Sequence, residues 1–214
     1  MSKPFFSVIV PEHNSEKFMR IGLDSIRSQE FTDYELLIIC DACTDSTAEI
    51  AREYSDKVIE INEGRCARSR NKGLDMAQGK WLLFMDDDDA WDSQFAFGMI
   101  HEGIERYEKY GNPIDVLAFD FFWKDRGIRR NEPGQLWTAV WNKAFRRSFI
   151  ERIGARFPDW AHSDDDGFSR IVHPEANIGY LHAVLYFYNF MRKGSLTWQI
   201  ENGLIDGNFP GKKV

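Results

Sequence analysis

No stretch of this sequence stays apolar for the roughly 20 residues that a bilayer crossing takes. The run from Phe5 to Val10 stops at Pro11 and Glu12, and the one from Tyr180 to Met191 is broken by His182 and Asn189. The first run is also too short for the core of a secretory signal. A cytoplasmic protein is therefore expected, with peripheral contact at the inner face of a membrane left open. Cysteine is scarce: Cys40, Cys43 and Cys66 form an odd set of three, which suits a reducing compartment and excludes a disulfide scaffold. Basic excess is missing too. With 27 Lys and Arg against 34 Asp and Glu the net charge is -7, which argues against a protein that grips a long polyanion. Arg126, Arg129, Arg130, Lys143, Arg146 and Arg147 cluster along the chain, and we read them as a solvated face. There is no internal repeat and no low-complexity tract.

What is present is an ordinary globular composition, 43% hydrophobic and 14% aromatic over 214 residues, enough for one domain with a substantial core. Short apolar runs alternate with amphipathic stretches through the first half, the pattern of βαβ units and a mainly parallel sheet. Strands are expected at Phe6 to Val10, Glu35 to Cys40, Lys57 to Ile61 and Trp81 to Met85. Between them Ser15 to Gln29 carries Phe18, Ile21, Leu23 and Ile26 at helical spacing. Ser46 with Glu49 resembles a capping box that opens a second helix, and Arg65 to Gln78 makes a third with Gly79 as its stop. Ser93 to Tyr110 reads as a helix and Ile114 to Trp123 as a strand. Lys124 to Gln135 reads as a surface loop, Asn142 to Ile153 as a helix, and Tyr180 to Phe190 as a late strand.

In an open parallel sheet ligands bind beyond the carboxyl ends of the strands, and the unusual polar residues fall there. Pro11-Glu12-His13-Asn14 follows the first strand, Asp41 ends the second, and Asp86-Asp87-Asp88-Asp89 ends the strand from Trp81. Four consecutive aspartates repel one another, so a hard divalent cation such as magnesium or manganese is expected among them. A protein gives such an ion only one or two carboxylates, and the phosphates of a bound diphosphate complete the shell. The alternative, a helix cap, needs fewer acids. A second run, Asp164-Asp165-Asp166, could supply a general base for an acceptor hydroxyl, and it could equally cap a helix.

These residues spell a resemblance. Phe6 to Asn14, Tyr34 to Asp41, Ala67 to Gly73 and Gly79 to Asp89 look like family 2 glycosyltransferases. The likeness continues through Trp141-Asn-Lys143, Phe157, Ser163 to Asp165 and Tyr188 to Thr197. The fold it implies is the GT-A type, a Rossmann-like open twisted mainly parallel α/β sheet with helices on both faces. It implies one domain over residues 1–214, with a nucleotide-sugar-binding half at 1–92 and an acceptor and catalytic half at 93–214. The implied reaction moves a sugar, with inversion, from a nucleotide-diphosphate donor, expected to be UDP-linked, to a hydroxyl acceptor. By the same resemblance Pro11, His13 and Asn14 lie at the nucleotide pocket, Asp41 hydrogen-bonds the base, and Arg70 lines the diphosphate and base region. Asp86-x-Asp88 resembles the family's Asp-x-Asp motif, with Asp88 and Asp86 at a Mn²⁺ or Mg²⁺ ion and Asp86 and Asp87 near the ribose. Asp165, next to Asp164, stands where the catalytic base is carried, and Arg192 and Ser195 match donor-phosphate contacts.

The chain departs from the pattern at Cys40, where an acid is usual, at Ala42-Cys43, where Gly-Ser is usual, and at Asp164, where a glutamate is usual. No Gln-x-x-Arg-Trp motif follows, which argues against processive polymer synthesis. His162 or His182 could add a nitrogen ligand to the metal, and of Trp137, Trp141, Trp160 and Trp198, Trp160 is the choice for an acceptor site. Three other functions compete. A thiol-disulfide oxidoreductase would use Cys40 and Cys43, a two-metal phosphoryl hydrolase would use both acid runs, and a nucleotide-sugar binding module would lack turnover.

Overall fold

A computed structural model of the chain describes residues 3–189, 192–195, 198–199 and 202–204. Its elements run β1 (Phe6–Glu12), α1 (Met19–Arg27), β2 (Tyr34–Asp41), α2 (Thr47–Arg52), β3 (Val58–Ile61), α3 (Cys66–Met76) and β4 (Trp81–Phe84). There follow β5 (Ala90–Trp91), α4 (Ala96–Lys109), β6 (Val116–Trp123), β7 (Gly127–Arg129), β8 (Lys143–Arg146), α5 (Arg147–Ile153), α6 (Asp164–Val172) and β9 (Ile178–Tyr188). The late part of the resemblance that falls on Phe190, Met191, Leu196 and Thr197 lies outside the described residues.

Among the described residues the strands form one sheet in the order β3-β2-β1-β4-β8-β6-β9-β5, with β7 paired to β6. The first four, β3, β2, β1 and β4, are parallel, whereas β8 runs antiparallel to both β4 and β6. The sheet is thus mixed, parallel where the sequence alternates strand and helix. Side chains of β1 alternate between two cores. Phe6, Val8 and Val10 join α1, α2 and α4 on one face, while Ile9 joins α3, α5 and α6 on the other. Strand β4 does the same with Trp81 and Leu83 against Leu82 and Phe84. Helices therefore cover both faces, and strands buried on both sides read as continuous apolar runs.

Several expectations need correction. Asn142 to Ile153 is not one helix: its first part is β8, wedged between β4 and β6, and α5 begins only at Arg147. Ala144 and Phe145 enter opposite cores, and a four-residue strand buried on both faces has no alternation to read. The loop from Lys124 to Gln135 contains β7, and Asn131 within it is buried and bonds the main chain of Phe119. Ile21, expected on the buried side of α1, is 71% exposed. Ser46 makes no cap bond; Asp45 instead accepts the Thr47 amide at 3.0 Å. Gly79 does not stop α3, which ends at Ala77. Its role is close approach, since a Cβ there would stand 2.4 Å from the Ser7 amide nitrogen. In the basic cluster Lys143 is fully buried, not solvated.

Candidate active site

From β1 the chain winds outward to β2 and β3, and then returns to place β4 on the other side of β1. That reversal opens a crevice at the carboxyl ends of β1 and β4, where an open α/β sheet binds its ligands. A cleft of about 580 Å³ occupies the crevice. Pro11, His13, Asp41, Arg70, Asp86, Asp87, Asp88, Asp164, Asp165, Arg192 and Ser195 all line it. Of the residues expected at the nucleotide, metal and base positions, Asn14 is not in the wall. Its side-chain oxygen accepts the Thr44 amide at 2.8 Å, so it braces the turn after β2.

One end of the cleft is built from the ends of β1 and β2. His13 Nδ1 donates to the Asp41 carbonyl at 2.6 Å, which fixes that nitrogen as the protonated one. The Asp41 carboxylate accepts the amides of Glu63, Gly64 and Arg65 at 2.7 to 2.9 Å, together with the Ser69 hydroxyl at 3.1 Å. Although burial opposes ionisation, these donors hold Asp41 below its usual pKa. Its carboxylate thus anchors the 63–65 turn at the cleft mouth.

At the acid end, the guanidinium of Arg70 forks between Asp86 at 2.5 Å and Asp164 at 2.7 Å, with Phe157 against it. One buried cation therefore ties the two acid runs together. Asp88 meets Arg192 Nε at 2.7 Å, and that guanidinium lies over the Phe18 ring at 3.8 Å. Burial, followed by repulsion from Asp88, pushes Asp87 up to about 8. Burial likewise raises Asp88 while Arg192 pulls it down. Asp89 turns away from the cleft. Its carboxylate accepts the Tyr186 hydroxyl at 2.9 Å and the Asn189 amide at 2.8 Å, anchoring the end of β9.

Asp164, Asp165 and Asp166 form the first turn of α6, entered through Ser163 in a left-handed conformation with φ 61°. All three acids begin the helix, and Asp164 and Asp165 also face the cleft. Asp166 points outward and pairs with Arg170 at 2.7 Å. Burial pushes Asp165 up to about 6, with Arg70 opposing. Behind it, Lys143 gives its ammonium protons to the carbonyls of Trp137 and Ala139 at 2.5 Å and to Asn142 at 2.8 Å.

Cleft residues to which the sequence assigned no role include Glu12, Ser69, Tyr188 and Asn189. Glu12 is buried at 2% exposure with one oxygen unpartnered, and burial raises its pKa well above normal. It stands beside Pro11 and His13, so proximity to the motif was the available signal. Trp160 is absent from the wall; its ring packs over Gly167, where a Cβ would come within 2.8 Å of it. Trp141 lines the cleft instead, covered by the stacked rings of Tyr186 and Tyr188 at 4.8 and 4.9 Å. His162 lines the cleft, whereas His182 sits on β9 with its ring 3.6 Å from Asp120, outside the wall.

Crowded carboxylates with raised pKa values mark negative charge that a cation would relieve, so the residues fit a divalent ion. Among the described residues no three His, Cys, Asp or Glu side chains are grouped to hold a metal by themselves. An ion held there would take further ligands from a bound molecule or water.

The switch-point cleft, double core and helix-covered sheet define a Rossmann-like α/β protein of the nucleotide-binding class. The chain belongs to glycosyl transferase family 2, whose family model matches residues 7–177. It is 28% identical over 211 residues to the putative glycosyltransferase EpsH of Bacillus subtilis, covering 88% of this chain and 61% of that protein. The crystal structure of Staphylococcus aureus TarS 1-349 with UDP-GlcNAc superimposes with a TM-score of 0.79 at 25% identity, over 90% of this chain and 60% of that one. The mannosyltransferase PcManGT of Pyrobaculum calidifontis, solved with GDP-Man and Mn²⁺, matches at a TM-score of 0.72 and 19% identity, over 98% of this chain and 67% of that one, and shares the GT-A fold. The chain thus spans about 60% of the length of the relatives it matches first. No helix among the described residues is long and apolar enough to cross a membrane.

Proposed function

We propose that this chain transfers a sugar, with inversion, from a UDP-linked donor to a hydroxyl acceptor, without processive polymerisation. The observation that carries the reading is Arg70, whose fork joins the Asp86 run to the Asp164 run across one cleft. The same guanidinium thus sets the spacing between the place for the donor diphosphate and the place for a base. UDP is the favoured nucleotide because the TarS structure, at 25% identity, contains UDP-GlcNAc.

In this reading the base and ribose lie between His13 and the 63–65 turn that Asp41 holds. Asp88 and Asp86 would hold Mn²⁺ or Mg²⁺ together with the diphosphate, and Asp87 would stand near the ribose. When bound, the ion neutralises charge on the leaving diphosphate. Arg192, now on Asp88, has a donor fork that suits the same phosphates, with Ser195 beside it. Asp165 takes the proton of the acceptor hydroxyl as that oxygen attacks the sugar carbon from the face opposite the diphosphate. Attack from that face inverts the centre. A carboxyl that titrates at about 6 is ionised at neutral pH and still basic enough to accept a proton. Asp164, held by Arg70, fixes the start of α6 and so the position of Asp165.

Thermal shift with UDP-GlcNAc and with GDP-mannose, each with and without Mn²⁺, tests the donor, because a ligand that binds the native state raises its melting temperature. A metal-dependent rise with the UDP sugar alone is expected. No rise with any nucleotide sugar would overturn the reading, and binding without turnover would leave a silent binding module. The cytoplasmic location, with or without peripheral membrane contact, belongs to the same proposal and is read by cell fractionation.

A further inference from the structure

We propose that the hairpin of β6 and β7 grips a negatively charged acceptor, one that bears phosphate or carboxylate groups near the hydroxyl to be glycosylated. That the bound molecule is the acceptor rests on the donor-site reading above; that the hairpin binds such an anion does not.

The hairpin concentrates positive charge. Lys124, Arg126, Arg129 and Arg130 stand against Asp125 and Glu132, an excess of cations in a chain of net charge -7. The turn folds back on Trp123, which pairs with Gly127, and Asp125 and Gly127 take φ 64° and 77° to make it. The guanidinium carbons of Arg126 and Arg129 then stand 4.8 and 5.4 Å from the centre of the Trp123 ring. Two positive charges are thus held around one indole, with exposed Arg130 next in the chain. Elsewhere on the surface arginines meet acids, as Arg20 meets Glu53, Arg68 meets Asp159 and Arg156 meets Asp75. Among the described residues Arg129 and Arg130 pair with no carboxylate, and Arg129 Nη1 donates to the Ile128 carbonyl at 3.2 Å. Crowded like charges repel, and a bound anion relieves them.

Topology puts this charge beside the cleft. Strand β8 runs antiparallel to both β4 and β6, so the carboxyl end of β6 lies at the same sheet edge as Asp86 to Asp88. In the strand order β6 lies on the opposite side of β4 from β1 and β2, so the hairpin stands across the acid run from His13 and Asp41. It is fastened to the wall there. The Lys124 amide donates to the Tyr188 carbonyl at 3.0 Å, and its ammonium donates to the Asn189 side chain at 2.8 Å. The Trp123 ring lies 5.7 Å from that of Tyr188, and both Tyr188 and Asn189 line the cleft. With the donor on the Asp41 side, this side is left to the acceptor, and guanidinium forks match phosphate and carboxylate oxygens. A membrane surface suits the hairpin less, because Ile128 is its one large apolar side chain that is strongly exposed.

The experiment titrates the whole chain with a trimer of glycerol phosphate, a trimer of galacturonate and neutral maltotriose, with and without UDP and Mn²⁺, and reads binding by calorimetry. At least one anionic trimer is expected to bind where maltotriose does not, and which one binds tells phosphate from carboxylate. In the double variant Arg129→Glu, Arg130→Glu the Kd for that trimer should rise about tenfold or more, because the rim now repels it. Arg106→Glu, an exposed arginine on α4, is expected to bind the trimer as wild type does. If the double variant does not fold, Arg130→Glu alone, at an exposed position, carries the same expectation of weaker binding. Failure of both anionic trimers to bind wild type, or equal binding by the variant, overturns the inference. Phosphatidylglycerol vesicles that capture wild type but not the variant, while the trimers fail, would assign the hairpin to a membrane and overturn it equally. Protein that binds a trimer but no UDP would count against the donor-site reading and leave the hairpin site standing.

Discussion

Arg70 and Asp164 stand 94 positions apart in the chain, and a terminal guanidinium nitrogen of one meets the carboxylate of the other at 2.7 Å. The second terminal nitrogen holds Asp86, so one buried side chain closes the contact between the two acid runs. Breaking a buried pair leaves an uncompensated charge and costs about 3 to 5 kcal/mol. Arg70→Met is therefore expected to lower the urea midpoint sharply and abolish transfer. Arg70→Lys is expected to recover only part of the stability, because an ammonium cannot fork between two carboxylates. Equal stability of Arg70→Lys and wild type would count against this bridging role.

The Arg192 to Asp88 contact at 2.7 Å means that a cation reaching Asp88 must first displace a guanidinium. Arg192→Ala is expected to raise the affinity of the nucleotide-free protein for Mn²⁺ and to weaken UDP binding in the presence of Mn²⁺. Asp88→Ala should abolish transfer and the metal dependence of donor binding. Asp89→Asn should keep that dependence, since Asp89 faces Tyr186 and Asn189. Calorimetry on the three variants reads all of these, and metal-dependent UDP binding in Asp88→Ala would refute the ligand assignment.

For Asp165 the pH dependence carries the sign. A base that titrates at about 6 is lost to protonation below that value, so kcat/KM should fall tenfold per unit below about pH 6 and level off above it. Asp165→Asn should cut turnover about a hundredfold or more with donor affinity near normal. Stability should move the other way. The folded pKa lies above the unfolded value of about 3.9, so stability is fully present below pH 4 and lost as pH rises through about 6. Asp165→Asn is thus expected to melt higher than wild type at pH 7.5. Full turnover in Asp165→Asn would shift the role to Asp164 or leave the run as a helix start alone.

Asp41→Ala removes the acceptor for three main-chain amides and one hydroxyl. Donor binding should weaken by about 1.5 to 3 kcal/mol, the scale of hydrogen bonds to a charged group. The ligand-free melting temperature should fall as well, because the 63–65 turn loses its anchor. Weaker binding without a lower melting temperature would mean that Asp41 serves the nucleotide alone.

Lys143 is expected to matter for stability in spite of its charge. Burial lowers its pKa to about 7 with Asp165 opposing, and its three hydrogen bonds hold the 137–142 segment that carries Trp141. Lys143→Met leaves two buried carbonyls without that donor, at about 1 to 3 kcal/mol each. Denaturant unfolding should show a loss of that order, and acceptor KM should rise more than donor KM. An unchanged midpoint would mean that other donors take over the two carbonyls.

The first four strands were legible because each is an apolar run followed by polar residues at its carboxyl end, and a buried parallel strand has that signature. The same pattern places Pro11, His13, Asp41 and Asp86 to Asp88 at one sheet edge. Local sequence left two readings of Asp164 to Asp166, cap or catalytic acid; the run opens α6 without a side-chain cap bond, and Asp164 and Asp165 line the cleft.

Tertiary structure alone decided the rest. Nothing in the local sequence near residue 70 says that its guanidinium will bridge Asp86 and Asp164, because that contact depends on how α3 and α6 pack on one face of the sheet. Strand β8 was hidden because burial on both faces erases periodicity, and Lys143 within it read as surface because the carbonyls that satisfy it are arranged only by the fold. Sequence thus set which residues stand at the strand ends, since that follows from local hydrophobic pattern. Which of them meet was settled by long-range packing, where distance along the chain carries no information about distance in space.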